Sequence, residues 1–553
     1  MQLKNSIGLA WIGIALAITS CANYSSFSEK RPNYKSVTPA GQMIVQALKH
    51  PSKQHEVQMG KFIDAASAAG GILEKSSNDR QARADYNFAI GRLFEVIEES
   101  GFQPWKTPVS CPGANGSWSF SMTYDGKPEH DPAHLRIMPA DRFQFKGKLI
   151  KQRTMKDGLG APMIIATKGM DPNFDPTKFD PFIQGKNVYY GVTEVLQFKG
   201  KSCIATYIDP LAMESVTFAG HSYPVAADFT APIALALAEL KPRKTEIQRF
   251  LKPEDFVTST RLARLQPYDP NKIPVLCIHG LGDSQATWAP LIEALRGDAT
   301  FRQNYQLWFY SYPTAYPYPL MAAILRDKLS AINARYPGHK KIVVIGHSMG
   351  GNITRELITD SGMAIWNTFF DTPPDKTPLS PEARALLKKV LIFQHRPEIS
   401  RVIFASASLH GSDQAVGFIG RLGKSVIGAP PGLSGVGKEL AMLSKPRDDG
   451  EQLKRSPNSI DALDPRNRFV TTIEKISPVR GIPYHSVIAD RGKGGNRDHT
   501  PPVSTDGLVP YWSSHIDGAQ SEVIVPSDHW SHRSPEGIAE IHRILLQHLG
   551  KGQ

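Results

Sequence analysis

One serine in this 553-residue chain stands between close-set glycines, in Gly346-His347-Ser348-Met349-Gly350. Before it runs the β-branched stretch "KIVVI", and after it "GNITREL". The first predicts a buried strand and the second a helix, so the serine falls at the apex of a turn too sharp for side chains at Gly346 and Gly350. A serine in that setting is a candidate nucleophile for acyl transfer. The start of the helix adds backbone N–H groups and a partial positive charge where an oxyanion would form. A hydroxyl is a weak nucleophile, so it needs a base, and the base needs a carboxylate to fix its tautomer. Downstream of Ser348, Asp490 and Asp506 compete for the carboxylate, and His529 and His532 for the base. The chemistry requires no metal or organic cofactor. The four cysteines, Cys21, Cys111, Cys203 and Cys277, form no CxxC or Cys/His cluster that suggests zinc.

The elements around these residues follow from periodicity. "IPVLCI", "YQLWFYS", "KIVVI", "RVIFAS", "YHSVIA" and "SEVIVP" are short apolar runs of the kind a strand needs when both its faces are buried in a parallel sheet. Helical segments such as "LMAAILRDKLSAINARY" and "PEGIAEIHRILLQHL" separate several of them. The pattern predicts a doubly wound, mostly parallel α/β domain over residues 270–553, with its ligand site at the carboxyl ends of the strands. Ser348 follows one strand, Asp490 another, and His529 and His532 the last.

These motifs resemble those of the α/β-hydrolase superfamily, close to bacterial lipases and esterases. Besides the serine turn, "VLCIHGLGDS" is similar to the family's first oxyanion loop, and the resemblance implies backbone N–H donors at Leu281 and at Met349. "STDGLVPYWSSH" resembles the segment that carries the acid in bacterial lipases, which favours Asp506 over Asp490. His529 lies 23 residues beyond Asp506, close to the lipase spacing, and is favoured over His532, which is expected at the rim. His279, His347, His410 and His515 are expected to shape loops. The implied activity is serine-dependent cleavage of carboxylic esters or lipids through an acyl-enzyme. An acyltransferase using the same three residues, and an inactive envelope scaffold, are the alternatives. Insertions near 360–398 and 413–465 leave the strand ends and are expected to act as lids.

The chain length suggests two domains. Residues 41–250 predict a smaller α+β domain of unassigned role: two helices up to Gly101, an antiparallel sheet between about residues 136 and 231, then the helix "APIALALAEL". The first 20 residues place Lys4 before a short apolar run ending in Ile18-Thr19-Ser20-Cys21, which resembles a bacterial lipoprotein signal. That resemblance implies export, lipidation of Cys21 and a cell-envelope location held to a membrane by acyl chains, with residues 21–40 as a tether. Cys111 and Cys203 are then expected to pair, and Cys277 to be a buried apolar residue. The net charge of +12 suits anionic lipid or envelope polymers, and no nucleic-acid motif accompanies it.

Overall fold

The computed structural model describes residues 24–30, 33–126, 130–167, 189–241, 246, 248, 260–413, 434–445, 458–491 and 506–550. The signal-like segment and Cys21 lie outside the described residues.

In the N-terminal half, three helices cover one face of a six-stranded sheet: α1 (Pro39–Lys49), α2 (His55–Lys75) and α3 (Arg80–Ser100). The sequence reading expects two. The extra one, α2, is rich in alanine and glycine and presents a small-residue face that packs closely along α3. Side-chain caps start two of them, with Thr38 accepting from the Gly41 N–H and Asp79 from the Ala82 N–H. Gly101, at φ 71°, closes α3 in the left-handed conformation that glycine adopts without strain.

The first strand, β1 (Ser26–Glu29), belongs to no large sheet. The six-stranded sheet is built from β2 (Val109–Gly113), β3 (Gly116–Thr123), β4 (Leu135–Pro139), β6 (Ala161–Thr167), β7 (Tyr189–Lys199) and β8 (Ser202–Ile208), in the order β2-β3-β8-β7-β6-β4. It is antiparallel except between β3 and β8, which run parallel, a departure from the all-antiparallel expectation. "RFQFKGKLI" also falls elsewhere, because its strand β5 (Phe143–Lys146) pairs with β1. Residues expected to form a free tether are therefore laid on the domain from Tyr24 onward, with Phe27 edge-on to Phe143. On the sheet's other face lies α4 (Ala231–Leu240).

Cys111 and Cys203 are both buried free thiols, which corrects the expected disulfide. Cys111 on β2 faces Trp118 of β3, whereas Cys203 on β8 faces Phe120 from the opposite side of β3. With a whole strand between them, two spacings of about 4.8 Å already exceed the Cα separation that a disulfide spans. Cys277 is a buried apolar-core residue, as expected.

The C-terminal half holds a seven-stranded sheet. Its strands are β9 (Arg261–Arg264), β10 (Ile273–Ile278), β11 (Tyr305–Ser311), β12 (Ile342–His347), β13 (Ile399–Ala405), β14 (Tyr484–Asp490) and β15 (Ser521–Pro526), in the order β9-β11-β10-β12-β13-β14-β15. All neighbours are parallel except the edge strand β9, which lies antiparallel to β11 and joins the sheet ahead of the expected boundary. Helices α5 (Ala289–Gly297), α6 (Ala299–Asn304), α7 (Tyr318–Arg335), α8 (Met349–Glu356) and α13 (Pro535–His548) flank it. Every residue of β11 and β12 is buried, which accounts for their unbroken apolar text.

The strand order also fixes where a site can form. From β10 the chain moves outward to β11, then jumps back past β10 to β12, so the ends of β10 and β12 diverge into different loops. That is a topological switch point, where an open sheet leaves a crevice at the strand ends. The insertion near 360–398 folds as α9 (Ala364–Phe369) and α10 (Pro381–Leu391). Of the second insertion, α11 (Ser434–Leu443) and the residues from 458 to α12 (Arg468–Ile473) are described. Residues 414–433 and 446–457 lie outside the described residues. Among the described residues, no helix is long and apolar enough to cross a membrane.

Candidate active site

Ser348 leaves β12 with φ 53° and ψ −127° and passes directly into α8. A non-glycine residue at positive φ is strained, and here the surrounding contacts hold it there. Its N–H donates to Ala405 O at 3.1 Å, tying the turn to the end of β13. The flanking glycines are needed for approach rather than for their dihedrals. A Cβ on Gly346 would run into Thr354 and the Gly350 carbonyl, and one on Gly350 into the backbone at the end of β10. Gly280 shows the same constraint from the facing loop, because a Cβ there would lie 2.8 Å from Ser348 Cβ and 3.3 Å from Ser348 Oγ.

Three of the residues singled out from sequence meet at this point. His529 Nε2 is 2.8 Å from Ser348 Oγ, and His529 Nδ1 is 2.7 Å from Asp506 Oδ2. The other oxygen of Asp506 accepts from the Leu508 and Val509 N–H groups at 2.8 and 2.7 Å, so both carboxylate oxygens are committed and the acid is fixed in rotation. The geometry requires the proton of His529 on Nδ1, toward Asp506, leaving Nε2 to accept from the serine hydroxyl. All three side chains are at least nine-tenths buried. Asp490 closes β14 and is buried nearby, but the carboxylate that meets His529 is that of Asp506.

Leu281 lies in the loop after β10, and Met349 is the first residue of α8, where a helix leaves its N–H without an intrahelical acceptor. Both backbone groups belong to the segments that converge on Ser348. The loop carrying Leu281 is pinned by Tyr312, whose hydroxyl donates to His279 O at 2.6 Å, and by Thr314, whose oxygen accepts from the Gly282 N–H at 3.0 Å.

His532 is not a rim residue. It is fully buried, its ring 4.2 Å from that of His347 and 4.5 Å from Trp288, with Nε2 2.8 Å from Thr287 Oγ1. Burial holds both His347 and His532 well below the usual histidine range, so both are neutral. His347 Nε2–H donates to the main-chain carbonyl of His529 at 2.9 Å, and Ser406 Oγ donates to Ser531 Oγ at 2.9 Å. These buried contacts fix the loop that presents His529. Nothing in the spacing of His347 or His532 reveals this, because their partners come from other strands. His410 and His515 do serve loops: His410 sits between Glu474 and the His515 carbonyl, and His515 against Glu522, whose carboxylate raises its pKa despite partial burial. His279 stacks on Tyr312 at 4.5 Å.

A separate cavity of about 120 Å³ lies in the cap, between the start of α7 and α9 to α12, lined by such residues as Leu320, Phe369, Leu387, Leu440 and Phe469. Among the described residues there is no group of three or more His, Cys, Asp or Glu side chains able to hold a metal ion.

Residues 275–541 match the model of the alpha/beta hydrolase family. No curated protein matches the chain in sequence. Among solved structures, the mature form of a lipase from Bacillus licheniformis is 16% identical over 52% of this chain and 97% of its own, with a TM-score of 0.31. A lipase-esterase related protein from Clostridium acetobutylicum is 12% identical over 52% of this chain and 98% of its own, TM-score 0.26. A phospholipase from Legionella pneumophila is 14% identical over 44% of each chain, TM-score 0.25. With its parallel sheet, its serine turn after the central strand and the family match across residues 275–541, the C-terminal domain has the α/β-hydrolase fold.

Proposed function

We propose that this protein is a serine hydrolase of carboxylic esters, with Ser348 as nucleophile, His529 as base and Asp506 as the acid that orients it. The observation that carries the reading is the unbroken row of hydrogen bonds from Ser348 Oγ through His529 to Asp506. In the reaction, His529 Nε2 takes the hydroxyl proton as Ser348 Oγ attacks the acyl carbonyl. The Leu281 and Met349 N–H groups receive the developing oxyanion, and Asp506 stabilises the imidazolium. His529 then protonates the leaving alcohol, and water attacks the acyl-enzyme by the same route to release the acid.

Export and acylation at Cys21 belong to the same proposal and rest on the Ile18-Thr19-Ser20-Cys21 motif. Only Ala22 and Asn23 separate Cys21 from Tyr24, which already packs on the body, so a lipidated chain would hold the domains against the membrane surface. Mass spectrometry of the N-terminal peptide reads this directly, as an acylated Cys21 at the mature terminus.

The test of the activity is hydrolysis of p-nitrophenyl esters, from acetate to palmitate, by the full chain and by Ser348→Ala. Ser348→Ala is expected to lose about four to six orders of magnitude in kcat. Equal rates in the two proteins would refute the assignment of Ser348. Acyl transfer to an added alcohol at the expense of hydrolysis would make the protein an acyltransferase instead.

A further inference from the structure

The N-terminal domain is packed against the part of the hydrolase that carries the oxyanion loop. Leu149, Ile150, Ile233 and Leu237 share one apolar cluster with Trp288 and Ile292, at the far end of the segment that begins with Leu281. Lys148 lies over the ring of Trp530, next to His529. The polar contacts across this interface are more specific. Tyr24 is fixed to the N-terminal domain through its carbonyl, which accepts from the Leu149 N–H at 3.2 Å. Its hydroxyl donates to Glu246 Oε2 at 2.7 Å, and Ser284 Oγ donates to the other oxygen of the same carboxylate. The next residue back, Asp283, accepts from Arg533 Nη2 at 3.0 Å, and Arg533 Nε is also 2.9 Å from Thr287 Oγ1.

A continuous chain of hydrogen bonds thus runs from Tyr24 through Glu246 to Ser284, and Asp283 joins it to the histidine loop four residues beyond His529. Leu281 is two residues before Asp283, and Gly280 already abuts Ser348. A displacement of Ser284 is therefore passed to the Leu281 N–H with no slack at Gly280, in a site where misplacement by 1 Å costs on the order of a hundredfold in rate. Glu246 is buried beside Asp283, with Tyr24 and Arg533 as its other charged or titratable neighbours. Burial and the charge of Asp283 push its carboxyl up to about 7.

We propose that Tyr24 and Glu246 are positioning residues, and that the N-terminal domain serves as an internal brace which holds the oxyanion loop in register with Ser348. The inference rests on the reading of Ser348 as the nucleophile. It assigns residues 41–250 a part in catalysis without contact with substrate, and it extends that part to the segment at Tyr24.

The test uses the full chain with Tyr24→Phe, Glu246→Gln and Glu246→Ala. Glu214→Gln serves as the control, since it removes an ion pair to Arg302 across the same interface, close to the start of β11 and so at the amino ends of the parallel strands, opposite the end that carries Ser348. The readouts are the rate of Ser348 phosphonylation by a p-nitrophenyl alkylphosphonate, kcat and KM on a short ester, and the thermal midpoint. Glu246→Ala is expected to lose at least tenfold in both phosphonylation rate and kcat at nearly constant KM, and Tyr24→Phe about threefold. Glu214→Gln is expected to stay within twofold of the parent while lowering the midpoint. Because ionised Glu246 accepts both hydrogen bonds, the acid limb of the parent's phosphonylation profile should be steeper than one proton and become single-proton in Glu246→Gln. Should Glu246→Ala fail to fold, the isosteric Glu246→Gln and Tyr24→Phe carry the comparison. Folded Tyr24→Phe and Glu246 variants that react within twofold of the parent would overturn the brace while leaving Ser348 in place. A loss in Glu214→Gln as large as in Glu246→Ala would also overturn it, since general loosening would then suffice. A parent protein unlabelled at Ser348 would instead defeat the nucleophile assignment and the brace with it.

Discussion

Replacing Gly280 by alanine tests how tightly the oxyanion loop is seated against the serine turn. The added Cβ would lie 2.8 Å from Ser348 Cβ, 3.2 Å from His347 Nδ1 and 3.3 Å from Ser348 Oγ, whereas ordinary van der Waals contact begins at 3.4 Å. Either the loop or the serine must retreat by about 0.6 Å, and Ser348 is held by its strained φ and by its N–H bond to Ala405. The loop is the part that moves, and it takes the Leu281 N–H away from the oxyanion position. Loss of one oxyanion donor costs about 10²–10³ in kcat, so a partial displacement should cost about 10- to 100-fold. Overpacking at a buried site adds about 1–3 kcal/mol of destabilisation. The assay is steady-state hydrolysis of p-nitrophenyl butyrate beside a thermal melt. A folded Gly280→Ala protein with undiminished kcat would refute both the placement of this loop and the role given to Leu281.

Asp506→Asn should lower kcat by about 10³–10⁴, through loss of the tautomer that lets His529 accept from Ser348, while Asp490→Asn should spare most of the activity in the same ester assay. Among the described residues neither oxygen of the fully buried Glu194 on β7 has a hydrogen-bond partner, and burial raises its carboxyl from 4.5 to about 8. The folded state then keeps a proton that the unfolded chain releases, so stability falls by roughly 1.4 kcal/mol per pH unit as pH rises through that window and levels off above it. Melting curves between pH 5 and 9 should show this slope flattened in Glu194→Gln, and an unchanged slope would exclude Glu194 as its source. Breaking the buried pair of Arg326 on α7 with Glu356 on α8 by Arg326→Met should cost about 3–5 kcal/mol, read by urea titration, because it strands a carboxylate inside the core. A thiol reagent should find Cys111, Cys203 and Cys277 unreactive in the native chain and all three free once denatured, and a mass map containing a Cys111–Cys203 peptide would contradict the sheet register.

Much of the C-terminal half is legible in the sequence, because its signals are local. A strand buried on both faces must be apolar throughout, and "KIVVI" and "IPVLCI" are. A turn that brings backbone within contact distance of backbone must use glycine, and Gly346 and Gly350 do. The candidates Ser348, Asp490 or Asp506, and His529 or His532 can be read in the sequence, with the resemblance to bacterial lipases favouring Asp506 and His529. The N-terminal half was less readable: α2 lacks a strong apolar stripe, and the parallel pairing of β3 with β8 joins segments far apart in the chain.

What the sequence by itself determined is the set of residue types and the strand ends from which they project, since periodicity, glycine placement and chain order are properties of neighbouring residues. Only the tertiary structure set Asp506 against His529, buried His532 beside His347, kept Cys111 and Cys203 on opposite sides of β3, and joined Tyr24 to Ser284 through Glu246. Each of those outcomes is a meeting between segments tens to hundreds of residues apart. Their distances are set by how two sheets and two domains pack, and no local pattern of side chains encodes that.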